Sequence, residues 1–213
     1  LTTQAISSIG KNLTIEGDGP TGFSKGASQD TNIYDTCAYC SEVVLASTWN
    51  TDLLLKMGES LGEEALWGNE NTGSSYNAIY APGANIHRSA FGGRNGEYFS
   101  EDSFLSGQMA ASEIKGARNK GLITYMKHFA VNEQETKRNG LVNWIDEQTL
   151  REVYLKPFET AVKDGGSTAA MSSFTRIGTR WTGGDYNLLT EVLRNEWGFH
   201  GSVITDWSGE KYM

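Results

Sequence analysis

Cysteine and histidine are scarce in this chain, and so is positive charge. The 213 residues include 2 Cys and 3 His, and 18 Lys+Arg stand against 26 Asp+Glu, a net charge of -8. The cysteines, Cys37 and Cys40, form one C-x-x-C. A redox pair or half a zinc site is conceivable there, but structural zinc takes four ligands and no second pair exists. Two reduced, partly buried thiols are expected. No histidine is spaced with a cysteine or another histidine as a ligand pair, which leaves a metal-handling protein without ligands. The acidic balance argues against nucleic acid, whose phosphates need a basic face. No apolar run approaches the roughly 20 residues of a transmembrane helix. No G-x-G-x-x-G leads from a strand into a helix and no P-loop is present, so neither a dinucleotide nor a nucleotide phosphate site is indicated. Internal repeats and low-complexity stretches are absent too. The chain starts at Leu1 with no basic, apolar signal region and stops seven residues after Asp206. Both ends read as cut, and an excised piece of a longer chain is expected.

What is present is an ordinary folding composition, 38% hydrophobic and 21% charged. A chain of this length can bury a sizeable core and is read as one domain, 1–213. Asn12 to Glu16 alternates like a strand and breaks at Gly17-Asp18-Gly19-Pro20, after which a glycine-rich loop runs to Asn32. Glu42 to Ser47 reads as a second strand or buried edge segment. Thr51 to Trp67 carries Leu54, Met57, Leu61 and Ala65 on one helical face. Tyr76 to Tyr80 is a strand, followed by a long polar loop from Asn85 to Ser100. Asp102 and its neighbours then open a helix to about Arg118. Leu122 to Met126 is a strand that leads into Lys127-His128-Phe129. Asp146 or Thr149 starts a helix to about Lys163, Thr168 to Ser172 is a strand, and Asn187 or Thr190 opens a helix to Glu196. The last strand is Ser202-Val203-Ile204-Thr205, with Asp206 immediately beyond it.

Alternating strands and helices imply parallel strands with right-handed crossovers. The loops after the strands are long and polar, and the loops before them are short. That asymmetry favours a (β/α) barrel over a doubly wound sheet, and such barrels gather their chemistry at strand carboxyl ends. Asp18, Arg94, Lys127, His128 and Asp206 all occupy such places. Singly they have plainer readings: Asp18 as a turn residue, Arg94 as a solvated charge, Asp206 as a cap. Together they describe a site. His87 and His200 read as incidental.

In order along the chain, Asp18-Gly19-Pro20, Leu45-Ala46-Ser47-Thr48-Trp49-Asn50, Pro82-Gly83-Ala84-Asn85-Ile86-His87-Arg88 and Gly93-Arg94-Asn95-Gly96-Glu97-Tyr98-Phe99-Ser100-Glu101-Asp102 form a first set of motifs. Lys127-His128-Phe129-Ala130, Asn132-Glu133-Gln134-Glu135, Arg151-Glu152-Val153-Tyr154-Leu155, Trp197-Gly198-Phe199-His200-Gly201 and Thr205-Asp206-Trp207 complete them. In this joint order the chain resembles the N-terminal domain of family 3 glycoside hydrolases, of the β-glucosidase type. The resemblance implies a TIM-like (β/α) barrel, here truncated, and a retaining cleavage of terminal β-linked glucose through a covalent glycosyl-enzyme on Asp206. It implies that Asp18, Arg94, Lys127, His128 and Arg138 bind the sugar hydroxyls, that Met171 lines the same pocket, and that Trp207 partly shields the nucleophile. No metal or organic cofactor is implied. An unusual backbone geometry is expected at Lys127-His128.

Two departures stand out. Phe174 replaces a frequent Tyr near the nucleophile, and Tyr39 stands where Pro is usual. The acid/base of this branch comes from a following α/β sandwich domain, which the chain does not include; Glu133 and Glu135 are the only local carboxylates, and neither is favoured. The partners implied are a β-glucoside or oligosaccharide, that further domain, and, from the open edges of a partial barrel, a second copy of the chain. An inactive sugar-binding piece, or a xyloside or arabinoside specificity, is the alternative.

Overall fold

The computed structural model describes residues 2–11, 13–23, 36–71 and 76–207, so most of the glycine-rich loop lies outside the described residues. In chain order the strands are β1 (Thr2–Thr3), β2 (Thr14–Asp18), β3 (Tyr76–Tyr80), β4 (Ile123–Phe129), β5 (Val142–Asn143), β6 (Ala169–Ser172), β7 (Arg176–Ile177), β8 (Arg180–Trp181) and β9 (Ser202–Ile204). The helices are α1 (Glu42–Ala46), α2 (Thr51–Asn71), α3 (Ser103–Asn119), α4 (Glu147–Thr149) and α5 (Lys156–Lys163). A π-helical turn, Leu150–Tyr154, prolongs α4, and a longer π-helical segment, Asn187–Glu196, precedes β9.

One sheet runs β1-β2-β3-β4-β6-β9. β1 is antiparallel to β2, and every later pairing in this sheet is parallel. The parallel strands curl into part of a barrel with helices on the outside, as expected for an incomplete TIM-like fold. Strand periodicity explains the two faces. Ile79, Met126 and Ala170 point outward into a core shared with Leu54, Leu61, Ile114 and Phe158. Their neighbours Ala78, Tyr125 and Ala169 point inward and form a second cluster with Tyr80 and Ile204. On the outer side Phe129 makes edge-on contacts with Phe158 and Trp197, at 5.2 and 5.8 Å between ring centroids. Among the described residues no helix is long and apolar enough to cross a membrane.

α2 and α3 touch backbone to backbone, because glycine faces glycine's neighbours on both. A Cβ on Gly58 would lie 2.2 Å from the Glu113 carbonyl oxygen, and one on Gly116 would lie 2.1 Å from that of Leu55. α3 starts where its capping residue predicts: the Asp102 carboxylate accepts from the Leu105 amide at 2.6 Å. Removing that acceptor leaves an N-terminal amide unpaired, so Asp102→Ala should cost about 1 kcal/mol. A chemical-denaturation midpoint identical to wild type would show that the cap contributes nothing.

Three expectations change. Glu42 to Ser47 is helical, not a strand: Glu42, Leu45 and Ala46 are buried at i, i+3 and i+4, while Val44 is exposed. The adjacent valines suggested a strand, but the buried Glu42 carboxylate accepts the Gly83 amide at 2.9 Å and turns this short segment onto the sheet. The thiols of Cys37 and Cys40 are exposed and free, not partly buried. β4 extends past Met126 to include Lys127 and His128. A small sheet, β5-β7-β8, was not foreseen, since each strand has only two residues. The buried Ser173 hydroxyl hydrogen-bonds those of Thr175 and Thr182, and Ser173 and Thr175 donate to the Ala130 carbonyl just past β4.

Candidate active site

The carboxyl ends of β2, β4, β6 and β9 bring Asp18, Lys127, His128, Met171 and Asp206 to one end of the sheet. Inward alternation from Tyr125 selects Lys127, and from Ala169 it selects Met171, which is buried beside β9. The peptide between Lys127 and His128 is cis, as is that between Phe129 and Ala130, so the unusual backbone expected at Lys127-His128 is present. Asn85 spans the exit of this segment: its side chain accepts the His128 amide at 2.7 Å and donates to the His128 carbonyl at 3.1 Å.

Lys127 is the central cation. Its side chain is only 3% exposed, and its Nζ lies 3.2 Å from Asp18 Oδ1 and 3.6 Å from Glu97 Oε2. Glu97 also receives a bidentate pair from Arg94, with Nη2 to Oε2 at 3.0 Å. Glu135 continues the chain of charges: Arg138 Nη1 donates to Oε2 at 2.7 Å, and Arg94 Nη1 lies 3.8 Å from Oε1. Arg138 rests over the face of Phe174, 4.3 Å from the ring centroid, so the ring that lacks a hydroxyl still supports a cation.

Asp206 stands just past β9 with a side chain 15% exposed, and its Oδ2 is 3.7 Å from His128 Nε2. Its Oδ1 accepts the Trp207 amide at 2.7 Å. Oδ2 has no hydrogen-bond donor among the described residues. Burial raises the Asp206 pKa above the ordinary carboxyl range, and the Trp207 amide, Arg94, Arg138 and Lys127 oppose that rise. His128 is fully buried, and its pKa falls well below the ordinary value, through burial first and then through Arg94, Lys127 and Arg138. The ring is therefore neutral beside Asp206. Its Nδ1 is 3.1 Å from the Tyr98 hydroxyl. The same hydroxyl donates to the Asn132 carbonyl at 3.4 Å.

Trp207 is 62% exposed, and its backbone amide donates to Asp206 Oδ1. Glu133 is buried against Asn85, whose amide donates to it at 3.2 Å, and burial pushes its pKa up to about 7. Glu135 is held by two arginines and by the Asn132 amide. His87 meets the Tyr98 carbonyl at 2.8 Å, and Tyr39 donates to Glu64 at 2.6 Å. A cleft of about 720 Å³ runs beside the site along Gln134 to Val142 and takes in Glu135 and Arg138.

Sequence reading missed Glu97, Asn85 and Tyr98 as members of the site. Glu97 was legible in principle, three residues after Arg94 in the same motif. Asn85 and Tyr98 act on His128 from 43 and 30 residues away, and only the fold joins them.

The family model for the glycosyl hydrolase family 3 N terminal domain matches residues 24–212. A beta-glucosidase of Rhizobium radiobacter is 40% identical over 208 residues, covering 98% of this chain and 25% of the relative. An exo-alpha-(1->6)-L-arabinopyranosidase of Bifidobacterium longum is 36% identical over 214 residues, covering 97% and 27%. The structure of beta-glucosidase 3B from Thermotoga neapolitana in complex with glucose superposes with a TM-score of 0.87 at 39% identity, over 97% of this chain and 28% of that one. The chain thus spans about a quarter of the length of the curated relatives it matches. By sequence and by fold together, this chain belongs to glycosyl hydrolase family 3, and residues 24–212 are its N-terminal domain.

Proposed function

We propose that this chain is the nucleophile-bearing part of a retaining β-glucosidase, with Asp206 as the nucleophile. The observation that carries the reading is the setting of Asp206: a largely buried carboxylate at a strand end, Oδ2 without a donor, with Arg94, Arg138 and Lys127 near enough to favour its charge. Oδ2 attacks the anomeric carbon as the bond to the aglycone breaks, giving a glycosyl ester, and water later cleaves that ester. Asp18, Lys127, Arg94, Arg138 and the neutral His128 supply charged and polar groups for the sugar hydroxyls, since charge-assisted hydrogen bonds are the strong ones. Met171 forms an apolar part of the wall, and the exposed Trp207 ring is free to stack on a sugar beyond the cleaved bond. No cofactor enters this scheme.

The departing oxygen needs a proton. Glu133 and Glu135 are each engaged with neighbours, so the proposed donor lies outside residues 1–213, in the remaining three quarters of the length seen in the relatives. A second reading, an arabinoside specificity on the same scaffold, is favoured by the relative from Bifidobacterium longum.

A 2-deoxy-2-fluoro-β-glucoside with a dinitrophenolate leaving group tests both. The fluorine slows hydrolysis of the ester, and the leaving group departs with little help from an acid. Intact mass and peptide mapping should find one label, on the peptide that contains Asp206. Label on another carboxylate would sink the assignment. Labelling only by the corresponding fluoro-arabinoside would transfer the specificity to the second reading.

A further inference from the structure

Below the Asp18–Lys127 pair lies a polar cluster that the scheme above does not use. The Glu16 carboxylate accepts the Tyr80 hydroxyl on Oε2 at 2.6 Å and the Tyr125 hydroxyl on Oε1 at 3.1 Å. The two rings meet edge to face at 5.5 Å. These residues belong to β2, β3 and β4, so one carboxylate ties three consecutive strands together on the inner face. A register shift between Ile15 and Glu16 marks the place where β2 turns Glu16 inward, while Ile15 packs on the helix side.

The next inward positions along β2 and β4 are Asp18 and Lys127, about 6.6–6.8 Å further on. Their 3.2 Å contact reaches across β3, so its length depends on the separation of β2 from β4. The β3–β4 ladder pairs only Ala78 with Ile123 and Ile79 with Thr124. Backbone contact resumes at Lys127, whose amide donates to the Pro82 carbonyl at 3.0 Å. The Glu16 cluster fills the interval between these two attachments.

We propose that Glu16 is a positioning residue, which through Tyr80 and Tyr125 holds β2, β3 and β4 at the spacing the Asp18–Lys127 pair needs to grip a sugar. The proposal rests on the sugar-pocket reading given above. The Tyr80 and Tyr125 hydroxyls tie Glu16 to β3 and β4, and it is through these ties that its effect reaches the pair above it. A displacement of about an ångström at such a pair is enough for a tenfold to hundredfold loss.

The test is a double-mutant cycle in the protein at its natural full length, using 4-nitrophenyl β-D-glucoside as substrate and glucose as competitor. Glu16→Ala should raise KM and the glucose Ki by about tenfold, with a smaller fall in kcat. Lys127→Ala should raise both further, and the double variant should be no worse than Lys127→Ala, because coupled residues are not additive. Glu16→Gln, able to accept from one phenol and donate to the other, should recover most of the loss. Where Glu16→Ala does not fold, Tyr125→Phe keeps the ring and removes one donor, and should give part of the same rise. Losses that multiply in the double variant overturn the proposal, as does a folded Glu16→Ala protein with wild-type KM and Ki. Unchanged glucose binding in Lys127→Ala overturns the sugar-pocket reading itself, and this proposal falls with it.

Discussion

Replacing Asp206 by alanine in the full-length protein is expected to lower kcat with an activated aryl β-glucoside by about 10⁴-fold or more, the scale on which loss of a reacting side chain is felt. Oδ2 is the uncommitted oxygen, and no other carboxylate described near it is free to replace it: Glu97 is shared by Arg94 and Lys127, and Glu135 is held by Arg138 and Arg94. Truncation also leaves a space on the face from which Asp206 attacks. Azide should enter that space and restore turnover of the dinitrophenyl glucoside, yielding the α-glucosyl azide by a single inversion. Asp206→Asn should fail without any such rescue, since its amide still occupies the space. A variant that keeps near-wild-type turnover without azide would remove Asp206 from the chemistry. The wild-type pH profile carries a further sign. Activity needs the carboxylate, and burial sets its pKa above the usual range, so the acid limb should lie at higher pH than an unperturbed aspartate would give.

The second large effect concerns stability and lies away from the site. Glu113 on α3 is fully buried, and neither of its carboxyl oxygens has a hydrogen-bond donor among the described residues. Burial pushes its pKa up to about 8. Glu42 on α1 is also fully buried; its pKa is raised well above the ordinary value by burial and next by the charge of Glu113. Both groups therefore favour the protonated form when folded. The contribution of Glu113 is fully present below the ordinary carboxyl range, near 4.5, and is lost as pH rises through its folded value of about 8; that of Glu42 is lost in the same direction. For Glu113 that loss is on the order of 5 kcal/mol.

Glu113→Gln keeps the shape of the neutral acid and cannot ionise. The variant should match wild type in denaturation midpoint near pH 5 and exceed it clearly near pH 8.5. Parallel stability curves for the two proteins across that range would mean that Glu113 does not carry this dependence. The same mechanism predicts little benefit from Glu113→Ala, which relieves the charge but opens a cavity between α1, α2 and α3.

Local chemistry made much of the molecule legible. Tyr76 to Tyr80 is a strand with the bounds read from the sequence, and Asp102 and Asp146 cap helices where their side chains reach amides three residues on. Such signals involve neighbours along the chain and survive without tertiary context. The adjacent valines Val43 and Val44 show the limit. Their β-branching suggests a strand, but five residues of weak propensity yield to the burial of Leu45 and Ala46 and to the Glu42–Gly83 hydrogen bond. The two-residue strands of the small sheet have no periodicity to read at all.

The sequence by itself determined the family, the alternation of strands and helices, and which charged residues fall at strand ends, because motif order and period-2 alternation are properties of the chain. Only the tertiary structure decided how those charges pair. It placed Glu97 between Arg94 and Lys127, set a neutral His128 against Asp206, and hung three strands on Glu16. It also buried Glu42 and Glu113 together. Each of these depends on separation in space and on exclusion of water, which set the strength of a charge and its pKa, and neither is written in the order of residues.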